Sequence, residues 1–105
     1  TENHIREAMI KSGLDPDLKK AVSKYSLGMR QRLGIAQAIM ENPDFLILDE
    51  PFNGLDKHGV KDIRNLILDL KAQQKTILLA SHNSEDIRIL CDRVYEMDGG
   101  RIQQL

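Results

Sequence analysis

The sequence predicts an α/β protein in which a helical part leads into a mainly parallel sheet. Two short apolar runs, Phe45 to Leu48 and Thr76 to Ala80, do not alternate with polar residues, the pattern of strands buried on both faces. Between them, residues 58–73 carry Val60, Ile63, Leu66, Ile67 and Leu70 at helical spacing. Strand, helix and strand in that order imply a right-handed βαβ unit and parallel pairing.

The elements follow in chain order. Ile5, Met9 and Ile10 define a short amphipathic helix over residues 3–11 that Gly13 ends. Asp15 and Pro16 offer a cap and a first-turn proline for a second helix over about residues 17–23. From Leu27 to Met40, the positions Leu33, Ile35, Ala36, Ile39 and Met40 repeat at helical spacing, with Ser26 as N-cap. Asn42 and Pro43 stop that helix and divide the chain into a helical part, residues 1–42, and a sheet part, residues 43–105. Each apolar side chain of the first strand contributes ~1.5–3 kcal/mol if fully buried, which makes the run a core element. After the second strand come a short helix from Asp86 to Cys91 and a third strand from Arg93 to Met97. Gly99 and Gly100 turn the chain into a last strand, Arg101 to Leu105.

Composition narrows the function classes. A chain of 105 residues with 41% hydrophobic content fits one compact domain. Sixteen acidic residues nearly cancel 15 basic ones, so no long-range field marks a nucleic-acid or membrane-surface binder. The single cysteine, Cys91, excludes an internal disulfide, fits a reducing compartment and reads as a small buried apolar residue. No apolar stretch approaches the ~18 residues of a membrane-spanning helix, and the opening TENHIREAMIK lacks the apolar region of a signal peptide. Solubility, with membrane contact only through a partner, is the expectation.

In α/β sheets ligands gather beyond the carboxyl ends of parallel strands. Asp49 and Glu50 stand there after the first strand, and Ser81 and His82 after the second. Two adjacent carboxylates can divide labour, one binding a hydrated magnesium ion and the other orienting or deprotonating a water. They can also simply cap and solvate a strand end. His82 can reach the same ligand or serve as a structural hydrogen-bonder, while His4 and His58 have no comparable placement. Ser26 and Gly28 open a helix, whose unsatisfied N–H groups and positive dipole end can receive a phosphate. Ordinary helix capping explains the same residues.

Taken together, these segments resemble the ATP-binding cassette (ABC) ATPases that power membrane transporters. YSLGMRQRLGIAQAI, Tyr25 to Ile39, resembles the signature motif and its helix; FLILDEP, Phe45 to Pro51, resembles Walker B with the catalytic glutamate. NGLD, Asn53 to Asp56, resembles the D-loop, and Ser81 and His82 the switch-histidine loop. Four motifs in family order cover most of the chain. One departure is that Tyr-Ser-Leu-Gly-Met stands where Leu-Ser-Gly-Gly-Gln is usual, a form similar to the subgroup exporting peptide antibiotics such as bacitracin or lantibiotics.

The resemblance implies a P-loop NTPase-like (RecA-like) core preceded by part of the ABC helical subdomain, with ATP and Mg2+ as ligands. It implies that Ser26 and Gly28 contact the γ-phosphate of an ATP held by a second, head-to-tail ATPase subunit. Asp49 would bind magnesium through water, Glu50 polarise the attacking water, His82 touch the γ-phosphate, and Asp56 carry signals across the dimer. Leu27 and Met29 cannot supply what glycine and glutamine would. Arg30, Gln31 and Arg32 match the polar helix start, and equally a solvated face. A transmembrane permease would be the second partner, placing the subunit in the cytoplasm against the inner face of the membrane, with export the favoured direction.

No Gly-x-x-x-x-Gly-Lys-Ser/Thr pattern occurs in the chain, so the phosphate cradle of Walker A is expected from a missing N-terminal half. In the family's sheet the strand before that cradle lies between the histidine-loop strand and the third strand here. Its absence is expected to leave the sheet split or its inner edges bare. The alternative to an ATPase half is a non-catalytic ABC-type interaction or regulatory module. Asp49, Glu50 and His82 together favour the ATPase. A cassette coupled to DNA repair is disfavoured, because no coiled-coil or basic insertion separates the signature helix from the strand.

Overall fold

The computed structural model describes residues 2–17 and 26–105. The helix expected over residues 17–23 and Tyr25 of the signature segment therefore lie outside the described residues, apart from Asp17.

Helix α1 spans Glu2–Lys11 and ends as its sequence dictates. Gly13, at φ +85°, donates to the Ile10 carbonyl, and Leu14 N–H reaches back to Met9, which together form a Schellman closure. Helix α2, Leu27–Ile39, starts where Ser26 caps it, the Ser26 Oγ accepting the Met29 N–H at 3.1 Å. Asn42, at φ +51°, then turns the chain out of the helix toward strand β1, Phe45–Asp49.

Strand β1 pairs in parallel with β2, Thr76–Ala80, and helix α3, Lys57–Ala72, connects them. The register runs from Phe45 opposite Thr76 to Asp49 opposite Ala80. Leu46 and Leu48 enter one core with Ile35 of α2, with Ile63, Leu66, Ile67 and Leu70 of α3, and with Leu90 of α4, Ser84–Leu90. The strands are not buried on both faces, contrary to what their apolar runs predict. Burial alternates along β1, leaving Phe45 and Ile47 55% and 64% exposed, with Leu78 of β2 beside them. The strands are buried on one face because the core-forming helices among the described residues cover only that face.

Strands β3, Tyr95–Asp98, and β4, Arg101–Gln104, form a separate antiparallel hairpin. Gly99 and Gly100, at φ +54° and +80°, make the two-residue turn whose twist suits a hairpin. The described strands thus form two two-stranded sheets, the split arrangement that the sequence anticipates.

Helix α4 begins two residues earlier than its apolar pattern suggests. Asn83 accepts the N–H groups of Glu85 and Asp86 at 2.9 and 3.1 Å and so fixes the start at Ser84. The N-terminal placement of Glu85 and Asp86 also suits the helix dipole. Cys91 is partly buried against the core, and that burial pushes its thiol pKa up, against the opposing pull of Lys71.

Candidate functional site

The parallel register brings the carboxyl ends of β1 and β2 level, and the chain continues from both into one region. Glu50 extends the ladder by one bond, its N–H donating to the Ala80 carbonyl at 2.8 Å. It then leaves the strand at φ +47°, in the left-handed region. That conformation costs ~1–2 kcal/mol for a residue with a Cβ and needs neighbours to hold it. The Glu50 carbonyl supplies such a hold, accepting the Asn53 N–H at 3.1 Å and the Gln31 side-chain amide.

On the β2 side, Ser81 Oγ accepts the Asn83 N–H at 3.1 Å, which shapes the loop that presents His82. The His82 side chain is 98% exposed, and its Nε2 lies 3.4 Å from Glu50 Oε1. An exposed pair at this distance adds little to stability. Glu50 and His82 line an open cleft of about 420 Å³ with Phe52, Asn53 and Asn83.

Arg64 and Asp86 form the cleft's inner wall. The Arg64 Nε donates to Asp86 Oδ1 at 2.8 Å, and a second guanidinium N–H reaches the same oxygen. Asp86 is only 2% exposed, so the pair fixes the start of α4, and with it the His82 loop, to α3. Sequence reasoning missed both residues, since nothing in their spacing links them.

The remaining predicted residues stand outside this cleft. Asp49 is exposed at the end of β1. A single carboxylate there fits a magnesium ion that keeps most of its waters and binds substrate phosphates. Among the described residues no three histidine, cysteine or acidic side chains cluster as a metal cage. Asp56 caps α3, its Oδ1 accepting the Gly59 N–H at 2.7 Å.

Ser26 and Gly28 sit at the exposed start of α2, packed near the loop that follows Glu50. A Cβ on Gly28 would lie 3.1 Å from the Gly54 carbonyl oxygen, and one on Gly54 only 2.5 Å from Leu27 Cγ. Gly54 is thus needed for the close approach and Gly28 leaves room for it, a packing role that the sequence did not reveal. The solvated-face reading of Gln31 and Arg32 is also corrected. Gln31 is half-buried and bonded to Glu50, while Arg32 reaches the Ser12 carbonyl at 3.2 Å and Asp62 at 3.6 Å. These contacts tie the helical part to the sheet part, so both side chains turn inward instead of facing water.

A parallel βαβ unit with acidic and histidine side chains gathered past its strand ends defines the class of open α/β proteins that bind ligands at that edge. Residues 1–53 match the profile of the ABC transporter family. The chain is 46% identical over 103 residues to YybJ of Bacillus subtilis (strain 168), an uncharacterized ABC transporter ATP-binding protein, covering 98% of this chain and 47% of YybJ. It is 46% identical over 102 residues to the bacitracin transport ATP-binding protein BcrA of Bacillus licheniformis, covering 96% of this chain and 33% of BcrA. The chain belongs to the ABC transporter family, and it spans between a third and a half of the length of these relatives. The fold matches the dimeric structure of MJ0796, a bacterial ABC transporter cassette, with TM-score 0.85 at 22% identity, over 97% of this chain and 46% of that one.

Proposed function

We propose that this chain supplies the signature and Walker B side of an ABC ATPase that couples ATP binding and hydrolysis to transport across a membrane, with export the favoured direction. The observation that carries the reading is the convergence of Glu50 and His82, from the ends of successive parallel strands, at 3.4 Å on one cleft. Glu50 orients and polarises the water that attacks the γ-phosphate, and His82 donates to that phosphate. Asp49 is the residue that would hold magnesium, and the ion when bound supplies positive charge to the phosphate oxygens. Glu50 takes the proton that the water loses as its oxygen bonds to the γ-phosphorus, and ADP leaves as the bond to the β-phosphate oxygen breaks.

Ser26 and Gly28 do not line the cleft of their own chain. The exposure of Ser26 at a helix start, with the half-buried Gly28 in the first turn, supports a role toward nucleotide bound by a second, head-to-tail ATPase subunit, with Asp56 and the loop before it at the junction. The bacitracin transport relative supports a membrane permease as further partner and a position on the cytoplasmic face. No helix among the described residues is long and apolar enough to cross a membrane.

The test is Glu50→Gln in a complete cassette carrying this sequence. The amide keeps the shape but cannot take a proton, so hydrolysis should slow by roughly 10²–10⁴-fold with ATP binding intact. Turnover within a few-fold of the parent would remove Glu50 from the role assigned to it.

A further inference from the structure

We propose that Gln31 is a positioning residue for Glu50, holding the peptide from which the Glu50 carboxylate projects and tying it to helix α2. The inference rests on the reading of Glu50 as the group that polarises water.

Glu50 adopts φ +47°, a conformation that persists only where the surroundings enforce it. Two of its backbone bonds are local to the strand end: its N–H to Ala80, and its carbonyl from Asn53 within the turn. The third comes from another element, the Gln31 Nε2 donating to the same carbonyl across 19 residues of sequence. A carbonyl oxygen has two lone pairs, and here both find donors. Removing the Gln31 donor leaves the carbonyl held by Asn53 alone and lets the backbone relax toward the less strained region. The carboxylate would then swing with it, and a misplacement near 1 Å at a reacting group costs about a hundredfold in rate.

The bond also has mechanical reach. Gln31 lies little more than one turn beyond Ser26 on the same helix. Leu27, in the first turn of that helix, closes over Gly54 so tightly that a Cβ there would meet it at 2.5 Å. The start of α2 and the loop after Glu50 are therefore joined at two points. Gln31 thus holds Glu50 from a helix whose start is itself packed against the loop that Glu50 opens.

The experiment uses the complete cassette and four variants: Gln31→Met, Gln31→Lys, Glu50→Gln, and Gln31→Met combined with Glu50→Gln. Methionine matches the length of glutamine without a donor, while lysine keeps a donor of similar reach. Gln31→Met should lower kcat by roughly 10–100-fold with KM for ATP within about twofold, and Gln31→Lys should recover most of the loss. The double variant should be no slower than Glu50→Gln alone, because Gln31 acts only through that carboxylate. A structural role for Gln31 would instead lower the melting temperature and multiply its loss onto that of Glu50→Gln. That multiplication, a Gln31→Met kcat within twofold of the parent, or a Gln31→Lys as slow as Gln31→Met, would overturn the inference alone. Glu50→Gln at parental turnover would overturn the function of Glu50 and this inference with it.

Discussion

Substituting Ser26 by Asp separates a helix cap from a phosphate contact. In the structure Ser26 is exposed, extended at φ −64° and ψ 166°, and caps α2 by accepting the Met29 N–H at 3.1 Å. Aspartate caps about as well as serine, and its charge beside the helix N-terminus adds ~0.3–1 kcal/mol of favourable dipole interaction. If Ser26 only caps, Ser26→Asp should leave the melting temperature at or slightly above that of the parent and change nothing else. If Ser26 meets a γ-phosphate held by a second subunit, the carboxylate sits about 4 Å from a phosphate charge. At an effective dielectric of about 20 that repulsion is ~4 kcal/mol, or roughly a thousandfold in affinity. ATP-dependent dimerisation of the complete cassette, followed by light scattering, should then disappear at concentrations where the parent dimerises. Ser26→Ala is the complementary control. It loses ~1 kcal/mol of capping stability but introduces no charge, so dimerisation should weaken only modestly. A Ser26→Asp protein that dimerises with ATP at the parental level would refute the phosphate contact.

Two further outcomes follow from the geometry. Arg64→Met leaves the Asp86 carboxylate buried without its partner, and should destabilise the fold by ~3 kcal/mol in chemical denaturation; a loss under ~1 kcal/mol would mean that the pair does not anchor α4. Because burial raises the Cys91 thiol, the fold favours its protonated form; this contribution to stability is present below the unfolded thiol's pKa of ~8.5 and lost as pH rises through the folded value. Alkylation of Cys91 at pH 8 should accordingly be slower in the native protein than in denaturant, and equal rates would contradict the burial effect.

The fold was legible where local chemistry decides it. Ser26, Gly13, Asn42 and the Gly99–Gly100 pair each act within a few residues of themselves, as a cap, a helix closure, a stop or a hairpin turn. The start of α4 was misplaced because apolar spacing takes no account of Asn83, whose side chain caps from outside the periodic residues. The burial of β1 was overestimated for a different reason. A continuous apolar run states which side chains favour burial, and what covers them depends on which helices are present. Here Leu46 and Leu48 enter the core with α2, α3 and α4, while Phe45 and Ile47 lie on the opposite, exposed face of the strand.

The pairing of Glu50 with His82 was legible for a geometric reason. Two parallel strands in register finish side by side, so the residues following their apolar runs are neighbours even though a long helix separates them in sequence. Gln31 and the Arg64–Asp86 pair had no such guide. Their partners lie 19 and 22 residues away on different elements, and helical periodicity reports only which residues share a face of one helix. Polar residues at those positions read equally as solvent-facing; Gln31 turns inward where α2 approaches the loop after Glu50, and Arg64 where α3 meets the start of α4. The groups proposed to touch substrate were thus visible from strand ends and motifs. The groups that hold Glu50 and the His82 loop in place become visible only when the helices are set against the sheet.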